Sequence, residues 1–414
     1  MEKILLRNIN SPNSSDIEEY RKGGGYSALH KAFEMKPFDV VDEVRRSGLR
    51  GRGGAGFPTG MKWSFAVADP QTPKYLICNA DEGEPGTFKD RVILEKNPHL
   101  LIEGMVISAY AVEAARGYIY LRGEYPKIKD VLLSAIEQAY KKNYLGDNIL
   151  GKGAGFHLHV HCGAGAYICG EETALIASLE GKRGQPRIKP PFPVNEGFSS
   201  KPTIINNVET LANIPYIIEI GGDAYSKIGS PECPGLKLYS VSGHVKRPGV
   251  YELPMGVTLR GIIYTHCGGI LGDKKLKAVI PGGISTPVLV PDKIDCPMDF
   301  RSLPRVGSLL GSGAVIAFDE TVDMVNVCLR ITKFFEHESC GKCTPCREGV
   351  GWMRAIIERI CSGAGRSDDM SLLMEVSNNI LGNSFCPLGD SAATVVQSYI
   401  GNFRHEFDEK TKNR

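Results

Sequence analysis

The run Tyr75-Leu76-Ile77-Cys78 is apolar and then breaks into Asn79-Ala80-Asp81-Glu82-Gly83-Glu84-Pro85-Gly86-Thr87-Phe88-Lys89-Asp90-Arg91. An apolar run cut off by Gly and Pro reads as a strand that delivers a polar loop. From about residue 50 to about 230 such strands alternate with helical patterns, which predicts an α/β layer fold. The carboxylates of Asp81, Glu82 and Glu84 would repel a phosphate. They could accept hydrogen bonds from ribityl or ribose hydroxyls and from a carboxamide. A solvated acidic turn would look the same.

Upstream lies Gly48-Leu49-Arg50-Gly51-Arg52-Gly53-Gly54-Ala55-Gly56-Phe57-Pro58-Thr59-Gly60-Met61-Lys62-Trp63. Without Cβ atoms such a backbone can turn tightly and bring N–H groups against an anion. Arg50, Arg52 and Lys62 add the positive charge that a phosphate cradle needs. No apolar strand precedes Gly51 and no Gly-Lys-Ser/Thr follows, so the loop is neither of the two common nucleotide fingerprints. A mobile surface loop is the plainer alternative. Phe57 and Phe65 flank the loop and suit stacking on a flat ring, although paired aromatics more often belong to a core.

Downstream, Gly163-Ala164-Gly165-Ala166-Tyr167-Ile168-Cys169-Gly170 leads into Glu171-Glu172-Thr173-Ala174-Leu175, helical in pattern. Two carboxylates at a helix start match the macrodipole and speak for hydroxyl or amide recognition over phosphate. His157, His159 and His161 alternate along an apparent strand and share a face. A polar strand face explains them more simply than a metal site. Arg187-Ile188-Lys189-Pro190-Pro191-Phe192-Pro193 is stiff and extended, and Asn206-Asn207-Val208-Glu209 looks like an amide-rich turn opening a helix.

Near the end, Cys340-Gly341-Lys342-Cys343-Thr344-Pro345-Cys346 sets three thiols at two-residue intervals, the spacing that wraps one soft metal centre. Structural zinc sites usually pair Cys-x2-Cys with a distant pair or with His, so a tight triple favours an iron–sulfur cluster. The fourth ligand must come from farther along. Cys361 sits in a helical pattern with Val350, Met353, Ile357 and Ile360, whereas Cys386 lies in Phe385-Cys386-Pro387-Leu388-Gly389, where free backbone N–H groups can face a cluster sulfur. Cys386 is the better candidate.

The chain holds 12 Cys among 414 residues, and those outside the proposed ligand set are scattered singly, as reduced and mostly buried thiols would be. A net charge of +2 favours neither nucleic acid nor a lipid surface as partner. The opening Met1-Glu2-Lys3-Ile4-Leu5-Leu6-Arg7 does not read as a signal peptide, and no apolar stretch approaches the roughly 18 residues of a membrane span.

Taken together, Gly51–Gly60, Asn79–Gly86, Gly163–Leu175 and Glu338–Cys343 resemble the NADH-oxidising flavoprotein subunit of respiratory NADH:quinone oxidoreductase, complex I. The resemblance runs from about residue 20 to about 405, and the same module occurs in diaphorase subunits of NAD-linked hydrogenases and formate dehydrogenases. It implies FMN held by Gly51, Gly53, Lys62, Asn79, Asp81, Tyr167, Gly170, Glu171, Asn206 and Asn207. It implies NADH met by Arg52, Gly54, Phe57, Phe65, Lys189 and Phe192, with Glu84 and Glu172 orienting the nicotinamide side. Cys340, Cys343, Cys346 and Cys386 would hold one 4Fe–4S cluster. No side chain is needed as nucleophile or base.

The implied architecture is a Rossmann-like FMN/NADH domain over 51–230, a ubiquitin-like β-grasp domain over 231–322 and a helical cluster domain over 323–414, behind an N-terminal extension of 1–50. Val245–Tyr251 reads as a hairpin within the β-grasp part. One cluster cannot carry electrons far, so partners are implied: a thioredoxin-like 2Fe–2S subunit and a larger iron–sulfur subunit. Localisation would be cytoplasmic, or peripheral on the cytoplasmic side of a bacterial inner membrane, with membrane contact only through the complex. The runner-up is a diaphorase subunit of an NAD(P)-linked hydrogenase or formate dehydrogenase, and an iron–sulfur or zinc scaffold without flavin is the third reading. Acidic groups around the ribose would disfavour NADPH.

Overall fold

The computed structural model describes residues 3–412. Met1 and Glu2 of the stretch read for a signal peptide, and residues 413–414 of the expected cluster domain, lie outside the described residues. The chain forms two compact units, one running up to Gly83 and including Phe88–Tyr239 and Val250–Gly256, the other Glu84–Thr87, Ser240–Gly249 and everything from Val257 on.

The first unit is built on a four-stranded parallel sheet of β1 (Lys74–Ala80), β2 (Ala114–Leu121), β3 (His157–Cys162) and β4 (Thr203–Asn207), in the order β3-β2-β1-β4. β1 is central, with Ile77 opposite Tyr118 on one side and Ile205 on the other. Leu76, Ile77 and Cys78 are fully buried, which is why this strand reads as an unbroken apolar run. The helix Pro98–Val112 behind it is buried on every face except at Tyr110, as an all-round apolar helix must be. The order reverses between β1 and β4. In a doubly wound sheet that switch point opens a crevice at the carboxyl ends of the strands. Register sets Asn79, near the end of β1, beside Asn207, the last residue of β4.

Residues 3–50 do not stand apart as an extension. Their helices Ile17–Lys22, Ser27–Ala32 and Pro37–Arg46 bury Leu29, Val40 and Val44 in the same core. Two carboxylates tie them down: Glu252 accepts from the N–H groups of Ile4, Leu5 and Leu6 at 2.8–3.0 Å. Glu103, on the buried helix, accepts from Tyr20 Oη at 2.5 Å and from the N–H groups of Tyr26 and Leu29 at 2.9 Å.

After the two-residue strands β5 (Gly229–Ser230) and β6 (Cys233–Pro234), the chain continues through β7 (Leu236–Gly243) into the second unit. β8 (Gly249–Pro254) is the neighbour of β7, so the expected hairpin exists, with residues 244–248 forming its connection. Within the second unit, β10 (Ala314–Asp319) pairs parallel with the Ser240–Gly243 end of β7 and antiparallel with β9 (Leu276–Ile280). Helices Met324–Glu338, Thr344–Cys361, Asp369–Ile380 and Pro387–Lys412 then pack into a bundle, and Val350, Met353, Ile357 and Ile360 are fully buried along the face that their spacing predicts.

Candidate functional site

In the first unit the glycine-rich loop closes on itself. Gly51 N–H donates to Phe57 O and Thr59 N–H to Leu49 O, each at 2.9 Å. The loop presses on the end of β4, where a Cβ on Gly53 would lie 3.1 Å from Asn207 Cβ. Only a residue without a side chain approaches that closely without a shift, so the glycine serves local packing as well as any ligand. The helix Thr59–Ala68 follows, carrying Lys62, Trp63 and Phe65.

Two asparagines at the strand ends are oriented by neighbours. Buried Trp63 donates its Nε1–H to Asn206 Oδ1 at 2.9 Å, which leaves the Asn206 amide nitrogen as donor. Asn79 Nδ2 donates to Gly170 O at 2.8 Å, and its Oδ1 accepts from Asp81 N–H at 3.1 Å. Asn207 Oδ1 caps the helix Val208–Ala212 through Glu209 N–H at 2.9 Å, while its Nδ2 donates to Asp90 Oδ2 at 2.6 Å. Tyr167 packs on the acidic loop, where a Cβ on Gly83 would lie 3.2 Å from its ring.

The paired glutamates have separate tasks. Glu171 caps the helix Glu172–Leu179, accepting from Thr173 N–H and Ala174 N–H at 2.9 Å, so helix capping accounts for one of the pair. Glu172 lies between two ammonium groups: Lys62 Nζ reaches its Oε2 at 3.2 Å and Lys189 Nζ its Oε1 at 3.2 Å. Burial pushes the Glu172 carboxyl up, but Lys62 and Lys189 overcome this and hold it below its ordinary range. Lys62 also donates to Ile205 O at 2.9 Å, and Lys189 to Glu171 Oε1 at 2.8 Å. Phe57, Phe65 and Phe192 are 45 %, 50 % and 52 % exposed, so these rings are surface aromatics and not core.

Two expected residues behave differently. The Arg52 side chain is fully buried and donates from Nη2 to Pro234 O at 2.9 Å. Its guanidinium is held inside the unit, with Nε and Nη1 buried and without hydrogen-bond partners among the described residues, so the backbone at Arg52 is what the loop presents. Glu84 belongs to the second unit, where its Oε1 accepts from Ser285 N–H at 2.8 Å. The three histidines lie on β3 as read, with His157 Nε2 3.0 Å from Asp147 Oδ1.

Sequence reasoning missed a buried ionic group in the first unit. Lys89 Nζ lies 2.7 Å from both Asp90 Oδ1 and Glu209 Oε2, and Lys237 Nζ lies 3.2 Å from the same Glu209 oxygen. Lys89 is raised, since Asp90 and Glu209 outweigh its desolvation; Lys237 is pushed down to about 7 by burial, with Lys89 and Arg52 adding to the effect. The only sequence signal was charge, in a loop (Lys89, Asp90), a helix-opening turn (Glu209) and a short strand (Lys237). Burial could not be read from it.

In the bundle, Ser339, just before the triple, has its Oγ 3.2 Å from Cys346 Sγ, and Phe385 N–H donates to Cys343 Sγ at 3.4 Å. Lys342 Nζ stands 4.1 Å above the Phe385 ring. These contacts bring the loop bearing Cys386 onto the triple. Among the described residues no three His, Cys, Asp or Glu side chains converge on one point. The fit to a cluster rests on the meeting of the two loops and on a backbone N–H already aimed at a cysteine sulfur. Cys361 is at the opposite end of the helix Thr344–Cys361 from Cys346, about 22 Å along the axis at about 1.5 Å per residue. One cluster cannot span that distance. Of the cysteines outside the four, Cys78, Cys169, Cys233, Cys267, Cys296 and Cys328 are buried, Cys162 is exposed and Cys361 is partly so.

A sheet switch point with an open amide donor at Asn206 and a lysine, in a unit with surface aromatics, suits a ring-bearing, hydroxyl-rich cofactor, and a bundle joining two cysteine loops suits an iron–sulfur cluster. These features fit an electron-transferring flavoprotein. Comparison with known proteins makes this specific. The model of the Nuo51 FMN-binding domain matches residues 44–216, that of the SLBB domain 237–302, and that of the NADH-ubiquinone oxidoreductase-F iron-sulfur binding region 326–410. An NADH-quinone oxidoreductase F subunit of Rhizobium meliloti (strain 1021) is 53% identical over 407 residues, covering 98% of this chain and 97% of that protein. The corresponding F subunit of Aquifex aeolicus (strain VF5) is 51% identical over 409 residues, covering 99% and 94%. Among solved structures, a chain of an NAD+-reducing NiFe-hydrogenase in the H2-reduced state superposes with a TM-score of 0.87 at 36% identity, covering 100% of this chain and 67% of that one.

The chain belongs to the family of NADH-quinone oxidoreductase F subunits. It is the NADH dehydrogenase subunit of a multi-subunit complex, with FMN and a 4Fe–4S cluster as its cofactors and NADH as its substrate. Among the described residues no helix is long and apolar enough to cross a membrane.

Proposed function

We propose that the crevice between β1 and β4 is the FMN site and that the exposed aromatics beside it receive NADH. The observation carrying this is that the carboxyl ends of β1 and β4, where the sheet order reverses, carry Asn79, Asn206 and Asn207, with Lys62 Nζ held 2.9 Å from Ile205 O beside them. Gly51, Gly53, Lys62, Asn79, Asp81, Tyr167, Gly170, Glu171, Asn206 and Asn207 hold FMN. Asn206 and Asn79 act as donors whose rotamers are set by Trp63 and Gly170. Phe57, Phe65 and Phe192 stack on the adenine end of NADH, Lys189 joins them, and the backbone at Arg52 and Gly54 lines the approach. Glu172, kept ionised by Lys62 and Lys189, orients the nicotinamide end, and Glu84 is assigned the same task.

FMN, when bound, converts two-electron hydride chemistry into single-electron transfer. The protein's own residues supply position and charge: they stack, donate hydrogen bonds and hold carboxylates ionised. Cys340, Cys343, Cys346 and Cys386 hold the cluster. We further assign residues 1–50 to an N-terminal region, 51–230 to the FMN domain, 231–322 to the β-grasp domain and 323–414 to the cluster domain. The partners are a thioredoxin-like 2Fe–2S subunit and a larger iron–sulfur subunit, on the cytoplasmic side of a bacterial membrane. The identity of about half with the quinone-linked subunits, against 36% with the hydrogenase chain, favours quinone reduction as the destination.

The test is an anaerobic visible spectrum of the purified chain with its 2Fe–2S partner, before and after one equivalent of NADH, with iron and flavin quantified. A bleached flavin band and four irons per chain from this cluster are expected. Zinc without flavin, or a flavin that NADH does not reduce, would overturn the proposal.

A further inference from the structure

Behind the acidic loop of the first unit, Glu82, Lys89, Asp90, Glu209 and Lys237 are each 5 % exposed or less. Asp90 and Glu209 are matched to ammonium groups. Glu82 is not. Its Oε1 accepts from Asp90 N–H at 2.7 Å, and its Oε2 accepts from Arg91 N–H at 3.0 Å and from the Tyr125 hydroxyl at 3.1 Å. Among the described residues no lysine or arginine nitrogen forms an ion pair with its carboxylate. A buried carboxylate without an ion-pair partner is the acid of the group best placed to accommodate charge by binding a proton.

Charged and titratable groups face Glu82 from each neighbouring element. Asp90 and Arg91 open the helix Asp90–Lys96, Lys89 precedes it, and Asp81 adjoins on the loop. Arg122, after β2, donates from Nη1 to the Glu82 carbonyl at 2.7 Å. Tyr125 stands before the helix Pro126–Lys141, with the Arg91 and Arg122 guanidinium groups 5.4 and 5.7 Å from its ring centre. Tyr125 is half-buried and lies beside the exposed Arg91, so it is the group that stands between the carboxylate and the surface. Desolvation and the charge of Asp90 push the Glu82 carboxyl up to about 7, against the pull of Lys89 and the two N–H bonds.

We propose that Glu82 exchanges one proton with solvent, by way of Tyr125, each time the flavin site gains or loses its pair of electrons. This rests on the reading that Asp81 and its neighbours hold FMN. A hydride brings two electrons and one proton, so once NAD+ has departed the site carries one more negative charge than before. The Glu82 carboxylate then binds one proton from water and becomes a neutral acid. When the two electrons have passed on singly and the hydride's proton has left, the charge is restored and Glu82 returns its proton. In a low-dielectric setting, neighbouring charges couple strongly enough for this.

The test is a reduced-minus-oxidised infrared difference spectrum of the loaded complex near neutral pH, in H2O and D2O, with the visible flavin band recorded on the same sample. NADH is expected to produce a carboxylic acid carbonyl band that shifts in D2O and is missing from Glu82→Gln, together with a loss of proton uptake of up to one per flavin. A flavin that bleaches without that band, or a Glu82→Gln protein that keeps it, overturns this inference and leaves the FMN site standing. A flavin that NADH does not reduce overturns both. Should Glu82→Gln fail to fold, Tyr125→Phe keeps the carboxyl and cuts its surface link: slowed appearance of the band supports the proposal, and an unchanged rate overturns it.

Discussion

Replacing Glu209 by Gln tests whether the buried ionic group holds the first unit together. Glu209 is fully buried; its Oε2 meets Lys89 at 2.7 Å and Lys237 at 3.2 Å, and its Oε1 accepts from Leu238 N–H at 2.7 Å. Burial alone would raise this carboxyl, yet Lys237 and Lys89 hold it down, so it is the anion both lysines depend on. Gln keeps the shape and the Leu238 contact but removes the charge. Breaking a buried pair on one side costs about 3–5 kcal/mol, because the remaining ion is stranded. For a folded body of this size each kcal/mol lowers the melting temperature by about 2–4 °C, so a fall of about 6–20 °C is expected. Lys237→Met should cost less, about 1–2 kcal/mol, because Glu209 keeps Lys89 and Lys237 holds its proton only weakly. Thermal unfolding by circular dichroism at pH 7 is the assay. A shift under about 3 °C for Glu209→Gln, or a larger loss for Lys237→Met, would refute the reasoning.

Other outcomes follow from the same structure. Cys386→Ser should purify without the irons of the 4Fe–4S cluster while Cys361→Ser retains them, and the reverse iron count would show that the bundle had been misread. Phe65→Ala and Phe192→Ala should each raise the KM for NADH by about 2–12-fold, the equivalent of about 0.5–1.5 kcal/mol per stacked ring, with kcat little changed; steady-state kinetics decides. His99 is fully buried and desolvation lowers it to about 4, so the folded protein keeps it neutral where the unfolded chain, with a value near 6.5, is protonated. Its contribution is therefore present above pH 6.5 and lost as pH falls towards 4, to about 3 kcal/mol; urea titrations of wild type and His99→Gln should diverge across that window and not above it. Gly104→Ala would place a Cβ 2.1 Å from Leu211 O, a backbone atom that cannot swing aside, and should destabilise by about 1–3 kcal/mol in the same assay.

Much of the site was legible because its signals are local. Helix caps and glycine turns depend on a few neighbouring residues, so Glu171 and Asn207 appeared at helix starts as read. The Cys-x2-Cys-x2-Cys triple carries its chemistry in its spacing, and the helix after it showed its buried face through Val350, Met353, Ile357 and Ile360. Phe57 and Phe65, two rings that could have been core, proved exposed. Arg52, read as a ligand contact, turned inward.

Sequence alone determined the alternation of strand and helix, the cysteine spacing, the glycine-rich and acidic loops and their order, and through their combination the family. Only the tertiary structure decided that β4 pairs with β1 and so sets the switch point, that residues 3–50 pack into the core, that Cys361 lies at the far end of its helix from the triple, and that Glu82, Lys89, Asp90, Glu209 and Lys237 are buried together. The division has a physical cause. Caps, turns and short-range ligand sets are fixed by energies between residues close in the chain, whereas burial and ion pairing depend on which distant segments meet, and a charged residue reads the same in sequence whether water or another charge surrounds it.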